Sequence, residues 1–213
     1  MTEKKDKRPT NKSTSKHAGF RKLLTILKWV VIAGFAICLF GGGILMGYVS
    51  SIVKDEPVRS REEIVKKINE NAVTGFAYFN DGSPIGQLRT EEDRRLVTYE
   101  QIPQPVIDAI ISIEDNHFYE HKGVDMNGTL RAVKQRVLNE SVQTGGSTLT
   151  QQLSRRVFLN LDKTDDRKIK EMLLSLRIER FMTKNEILTA YLNKMPFGKG
   201  SSGYNIFGIK AAA

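Results

Sequence analysis

Three polar blocks follow one another along the second half of the chain. They are Glu114-Asp115-Asn116-His117-Phe118-Tyr119-Glu120-His121-Lys122-Gly123, then Gly145-Gly146-Ser147-Thr148-Leu149-Thr150-Gln151-Gln152-Leu153, then Arg167-Lys168-Ile169-Lys170-Glu171. They supply two separated carboxylates, Glu114 and Glu171, and the uncharged hydrogen-bonding side chains of Ser147, Thr148, Gln151 and Gln152. Arg155, Arg167 and Lys168 add fixed positive charge. A carboxylate can take a proton from a sugar hydroxyl, and fixed cations can receive the negative charge of a departing phosphate. The set suits transfer of a sugar away from a phosphate leaving group. Gly145-Gly146-Ser147-Thr148 adds to this by introducing a helix, whose free amides and dipole favour an anion.

Each block alone has a plain structural explanation. An acid at a helix end is usually solvated surface. Glu171 lies one helical turn from Arg167, which fits an ion pair as well as a tuned catalytic group. A Gly-Ser-Thr loop with a polar helix face needs no function. What these explanations leave open is three such blocks in succession, polar where a small domain needs its core.

Three other matches carry less. His117-Phe118-Tyr119-Glu120-His121 has the His-x-x-Glu-His form of a zinc peptidase. Such a site needs a continuous helix and a third ligand, yet Lys122-Gly123 ends any helix and no His follows. Gly198-Lys199-Gly200-Ser201-Ser202-Gly203 has dinucleotide-type glycine spacing but follows a helical pattern, so it reads as a glycine-rich loop. Ser51-Ile52-Val53-Lys54 imitates an acyl-enzyme motif, without the partner motifs such an enzyme requires.

The elements that must position these residues are legible in outline. From Pro105, Val106, Ile107, Ile110, Ile111 and Ile113 predict an apolar helix that delivers Glu114 at its end. Leu130, Val133, Val137 and Leu138 mark a second helix, stopped near Gly145-Gly146. Ser147 or Thr148 can cap a third, to about Leu159. A fourth runs from Asp165 or Asp166 to about Met182, with Ile169, Leu173 and Leu176 on one face and Glu171 half a turn away beside Arg167, Leu174 and Ile178. Thr183-Lys184-Asn185-Glu186 is a capping box that opens a fifth, to about Asn193. Upstream, Phe76–Phe79, the turn Asn80-Asp81-Gly82 and Ile85–Leu88 predict a β-hairpin, with Leu96–Tyr99 as a third short strand.

Charge and hydropathy complete the organisation. Residues 1–28 hold nine Lys/Arg against two carboxylates, so +7 of the net +9 lies there and only +2 in the rest of the 213-residue chain. The basicity belongs to a tail and does not indicate a nucleic-acid partner. Trp29 to Val53 is an uncharged run of 25 residues. At ~1.5 Å per residue it exceeds the roughly 30 Å hydrocarbon core of a bilayer. Trp29 and Tyr48 lie near its ends, where such rings favour the headgroup level. Residues 1–28 are therefore expected as a basic cytoplasmic tail, 29–53 as one uncleaved transmembrane helix, 54–72 as a charged stalk and 73–213 as the exported domain. Cys38, the single cysteine, falls within the anchor, so the exported part depends on a packed core and not on disulfides.

With the residues laid out, a family resemblance is visible. Glu-Asp-x-x-Phe-x-x-His-x-Gly at 114–123 resembles the first signature of the peptidoglycan glycosyltransferases, the lysozyme-like domain of class A penicillin-binding proteins and monofunctional transglycosylases. Residues 145–153 are similar to the second signature and Arg-Lys-x-x-Glu at 167–171 to the third. Ile187-Leu188-Thr189-Ala190-Tyr191-Leu192-Asn193 with Phe197-Gly198 is similar to the fourth. The resemblance covers roughly residues 70–213.

It implies a mainly α, lysozyme-like bilobal helical domain with a small β-hairpin element, preceded by one transmembrane helix. It implies a bacterial cell-membrane enzyme with a cytoplasmic N-terminus and an extracellular catalytic domain. That enzyme polymerises lipid II into β-1,4 glycan strands with inversion and release of undecaprenyl diphosphate. By position, Glu114 is implied as the general base, partly desolvated so that its pKa lies near ambient pH. Glu171 is implied as a second catalytic residue, near the donor's reacting centre and the diphosphate, helping stabilise the developing charge. Arg155, Arg167 and Lys168 are implied as diphosphate ligands, with Ser147, Thr148, Gln151 and Gln152 contacting sugar or phosphate. Asp115, Phe118, His121, Gly146 and Asn193 fall on the substrate-binding side. Magnesium or another divalent cation can assist the diphosphate, with ligands unspecified, and no organic cofactor is implied.

The implied partners are lipid II, the growing glycan strand, the membrane, and proteins of cell division or elongation. Two departures stand out. Arg155 replaces the family's usual Lys, exchanging a point charge for a planar fork. The chain also stops at Ala213 where the family's helix continues, so the expectation is a fragment short of the rest of the transferase and of any transpeptidase domain. A lytic muramidase and a non-catalytic cell-wall scaffold are the alternatives.

Overall fold

A computed structural model describes residues 14–54, 56–88, 92–140, 145–159, 164–200, 203 and 205–213. The chain divides into two units, residues 1–55 and 56–213. Within the first, the described residues form one helix, α1 (Thr14–Val53). Its segment Gly19–Val53 is long and apolar enough to cross a membrane, and none of it is buried within the protein. A helix apolar on every side over that length is suited to lipid. α1 begins well before Trp29, inside the expected tail. No Pro lies between Thr14 and Trp29, and Lys, Arg and Leu there propagate a helix readily.

The second unit is mainly helical. α2 (Arg61–Asn69) opens on a capping box in which Ser60 and Glu63 satisfy each other's backbone amides. Its one-turn pair Ile64 and Ile68 is fully buried in the core. The segment expected as a stalk thus supplies part of the hydrophobic interior. β1 (Phe76–Tyr78) and β2 (Pro84–Gln87) form the predicted antiparallel hairpin. Its turn uses Gly82 at φ 83°, with the Asp81 carboxylate accepting from Ser83.

The expected strand at Leu96–Tyr99 is absent. β3 instead covers Glu92–Arg94, and the chain then enters a short 3-10 turn at Tyr99–Gln101. The Val97 backbone finds its partners in a side chain: its N–H donates to Asn193 Oδ1 and its C=O accepts from Asn193 Nδ2, both at 2.9 Å. An amide that satisfies both groups removes the need for a neighbouring strand.

Four longer helices follow: α3 (Gln104–Glu114), α4 (Met126–Val137), α5 (Leu149–Phe158) and α6 (Asp165–Phe181). α7 (Lys184–Lys194) begins at the predicted Thr183–Glu186 capping box. β4 (Pro196–Lys199) and β5 (Asn205–Phe207) pair antiparallel, and β5 pairs in parallel with β3, giving the order β3-β5-β4. Part of the expected glycine-rich loop is therefore strand, since Gly198 and Lys199 belong to β4. A short α8 (Ile209–Ala212) ends the described chain.

The core gathers Ile64, Ile68, Ile107, Phe118, Leu149, Leu153, Ile178, Ile187, Leu188 and Leu192, all nearly or fully buried. α5 packs against both α6 and α7 within it. The architecture is the mainly helical, lysozyme-like type with one long apolar helix, carrying two small sheets where one hairpin was expected.

Candidate active site

α3 carries Pro105 in its first turn, where the missing amide costs nothing, and ends on Glu114. Glu114 is exposed, whereas the residues implied a partly desolvated base. It sits past the last turn of α3 that packs on the core. Its Oε2 accepts a 2.9 Å hydrogen bond from Gln152 Nε2 of α5, and it makes no ion pair among the described residues.

The loop after Glu114 is locked from behind. Asp115 Oδ2 accepts from the Leu149 amide at the start of α5 at 2.9 Å, a favourable place for negative charge. Both Asp115 oxygens lie 3.0 Å from His121 Nε2. Since the Gly123 amide donates to His121 Nδ1 at 3.1 Å, the ring proton belongs on Nε2 and points at Asp115. Phe118 is fully buried, with Lys184 Nζ 4.5 Å from its ring centre. Gly123 has φ 96°, and a Cβ there would lie 2.6 Å from the Ser175 carbonyl oxygen, so the loop passes α6 only because the residue is glycine.

α5 starts on the predicted cap. Thr148 Oγ1 accepts from the Gln151 amide at 3.1 Å and donates to the Gly123 carbonyl at 2.7 Å. Gln151 is fully buried; its Oε1 accepts from the Thr148 amide and from Lys168 Nζ. Gly146 lets this entry lie close to α4, since a Cβ there would meet the Ala132 methyl at 2.8 Å.

α6 turns its polar side inward. Glu171 is fully buried, with Arg167 Nη1 2.7 Å from Oε2 and Lys168 Nζ 2.6 Å from Oε1. Leu174 and Ile178 on that same face are buried, while Leu176 on the apolar stripe is exposed. Lys168 also donates to Ser147 Oγ at 2.8 Å, tying the third block to the second. One buried carboxylate against two cations leaves positive charge at this wall and satisfies the acid it covers.

Two adjacent cavities result. One, of about 740 Å³, is lined by α4 residues, Thr164, Arg167, Lys168 and Met172. The other, of about 580 Å³, is lined by Glu114, Asp115, Asn116, Asp125, Arg131, Thr148 and Gln152, among others. Gly146, Ser147 and Arg155 line both. The base candidate and the cation candidates thus stand in neighbouring chambers with a common wall. Arg155, at that wall, makes no ion pair among the described residues.

Of the residues expected around substrate, Glu114, Asp115, Gly146, Ser147, Thr148, Gln152, Arg155, Arg167 and Lys168 line one or both cavities. Phe118, His121, Gln151 and Glu171 line neither. Asn193 is taken up by the Val97 backbone and borders a separate hollow with Leu96 and Thr98. Asp125, Arg131 and Arg136 line the chambers without having been singled out. Asp125 immediately precedes the second helix and Arg131 lies within it, and charge on its inner face was the signal available. Asp125 is held below the usual carboxylate range by the Gly128 amide and then by His117.

A family model described as Transglycosylase matches residues 81–213. Penicillin-binding protein 1A of Clostridium perfringens (strain 13 / Type A) is 34% identical, over 100% of this chain and 31% of the relative. Penicillin-binding protein 1A of Escherichia coli (strain K12) is 38% identical, over 89% of this chain and 21% of its own length. Penicillin-binding protein 4 of Bacillus subtilis (strain 168) is 40% identical over 65% of this chain and 22% of its own length. The chain thus spans a third or less of these curated relatives.

Proposed function

The chain belongs to the transglycosylase family, and from that premise we propose that it is the peptidoglycan glycosyltransferase region of a membrane-anchored penicillin-binding protein. α1 serves as a single-pass anchor with the basic tail in the cytoplasm and residues 56–213 outside. The substrate is lipid II, joined to a growing glycan strand with release of undecaprenyl diphosphate.

In this reading Glu114 takes the proton from the acceptor's 4-hydroxyl, and that oxygen forms the new bond to the donor's anomeric carbon. The bond from that carbon to the diphosphate breaks on the opposite side, so configuration inverts. Arg155, Arg167, Lys168 and Ser147 receive the charge of the departing diphosphate. Glu171 works from beneath, holding Arg167 and Lys168 in place. The observation that supports this most is the shared wall of Gly146, Ser147 and Arg155 between the Glu114 chamber and the Arg167–Lys168 chamber.

The carboxylates do not make a metal cage. Glu171 has a cation on each oxygen, and Asp115 is taken by His121 and the Leu149 amide. A divalent cation would be held by the substrate's phosphates, where it would help offset their charge. A retaining hydrolase would need a second carboxylate about 5–5.5 Å across the groove from Glu114, and Glu171 beneath its cations is no such group.

The test is elongation of lipid II by the full-length protein. Glycan polymer from the parent and none from Glu114→Gln is the expected pair of results. Full polymerisation by Glu114→Gln removes the assigned base. Glycan cleavage without lipid II consumption would replace the transferase with a muramidase, and binding without turnover would replace it with a scaffold.

A further inference from the structure

Gln152 has two neighbours, and they agree on how its amide is turned. Glu114 Oε2 lies 2.9 Å from Nε2, and the Tyr191 hydroxyl lies 3.3 Å from Oε1. The contacts join the end of α3, the first turns of α5 and the buried middle of α7, residues far apart in sequence. Tyr191 is only 6% exposed, and burial followed by the nearby Glu114 charge pushes its phenol up to about 12. It therefore remains a hydroxyl at any working pH. An ionised carboxylate accepts only, so Gln152 must face it with the NH₂ end. Its carbonyl end then needs a donor on the other side, and Tyr191 is that donor. With the amide reversed, Gln152 would set a carbonyl oxygen against the carboxylate, a repulsion between two acceptors.

We propose that Tyr191 is a positioning residue for the Glu114 carboxylate: acting through Gln152, it fixes the amide orientation that holds Glu114 aimed into its chamber. Resting on the reading of Glu114 as the base, this moves Gln152 from a substrate ligand to a link in a relay. Removing the hydroxyl frees Gln152 to turn, and Glu114 loses the donor that orients it. Asp115, Asp125, Arg131 and Arg155 share the chamber, and all persist in a Tyr191 variant, so their effect on kcat is common to parent and variant.

The experiment compares parent, Tyr191→Phe, Gln152→Met and the double variant of the full-length protein in lipid II elongation, with Glu114→Gln in parallel. Tyr191→Phe keeps the buried ring. Its kcat is expected to fall on the order of tenfold, the scale of one modest hydrogen bond, with KM little changed. Gln152→Met shows the same fall in kcat with KM little changed, from the other end of the relay, which serves if Tyr191→Phe does not fold. The double variant is no worse than Gln152→Met, because Tyr191 acts only through the amide. A parental kcat in Tyr191→Phe would overturn the proposal, as would losses that multiply in the double variant. If Glu114→Gln elongates normally the base reading itself fails; if it is inactive while Tyr191→Phe matches the parent, only the relay fails.

Discussion

Glu114 and Glu171 are the same kind of acid in opposite surroundings. Glu114 stands exposed at the end of α3 with one amide donor and, among the described residues, no ion-pair partner. Glu171 is fully buried in α6 with a cation on each oxygen. An exposed carboxylate can exchange a proton with an incoming hydroxyl at little structural cost. A buried one with two charge-assisted partners is a fixed charge, and removing it leaves cations stranded in low dielectric. Under the proposed function the difference separates chemistry from support: Glu114 is the acid that works on substrate, and Glu171 is the one that holds Arg167 and Lys168 in place.

The contrast can be broken most sharply at the two acids themselves. Glu114→Gln should lower polymerisation by about 10³-fold, within the range of general-base effects, while urea unfolding shifts by no more than about 0.5 kcal/mol. Glu171→Gln should do the reverse in kind, lowering stability by about 3–5 kcal/mol because Arg167 and Lys168 lose their counter-charge. If Glu171→Gln unfolds at the parental urea midpoint, the supporting role is wrong.

A smaller effect tests the backbone that aims Glu114. Gly123→Ala forces a Cβ against the Ser175 carbonyl at a positive φ, and a loss of about 2–3 kcal/mol in a thermal melt is expected. Lys194 provides the mildest probe, as a buried cation that donates to the Glu70 carbonyl oxygen in place of a carboxylate. Burial, then the nearby Arg94, pushes its ammonium down to about 8 from 10.5. Between those values the unfolded chain binds the extra proton, so stability rises with pH across the window, and the penalty is fully present below pH 8. Lys194→Met should flatten that rise, by on the order of 2 kcal/mol, in urea titrations at pH 7.5 and 9.5. An unchanged slope would show that Lys194 is better solvated than its 8% exposure indicates.

Much of the local structure was legible because it is locally caused. Thr183 and Glu186 satisfy each other's amides within one turn, so the start of α7 is written in four residues. Thr148 does the same for α5, and Asp81-Gly82 for the hairpin. The polar blocks were legible for a similar reason: residue type and order show which chemistry is available. Which members of a block line the chambers was another matter. Phe118 and His121 lie in the loop just after Glu114, yet one fills the core and the other orients Asp115.

The sequence by itself determined the apolar membrane-length helix, the helix starts, the chemical inventory and the family. Each depends on neighbours within a turn or two, or on motifs whose order survives in the chain. Only the tertiary structure decided that α2 belongs to the core, that β3 pairs in parallel with β5, and that Asn193 closes on Val97. It also decided that α6 turns Glu171 inward and leaves Leu176 outside. These outcomes depend on partners distant in the chain, and a carboxylate can be buried only where cations and packing arrive together to offset its lost hydration.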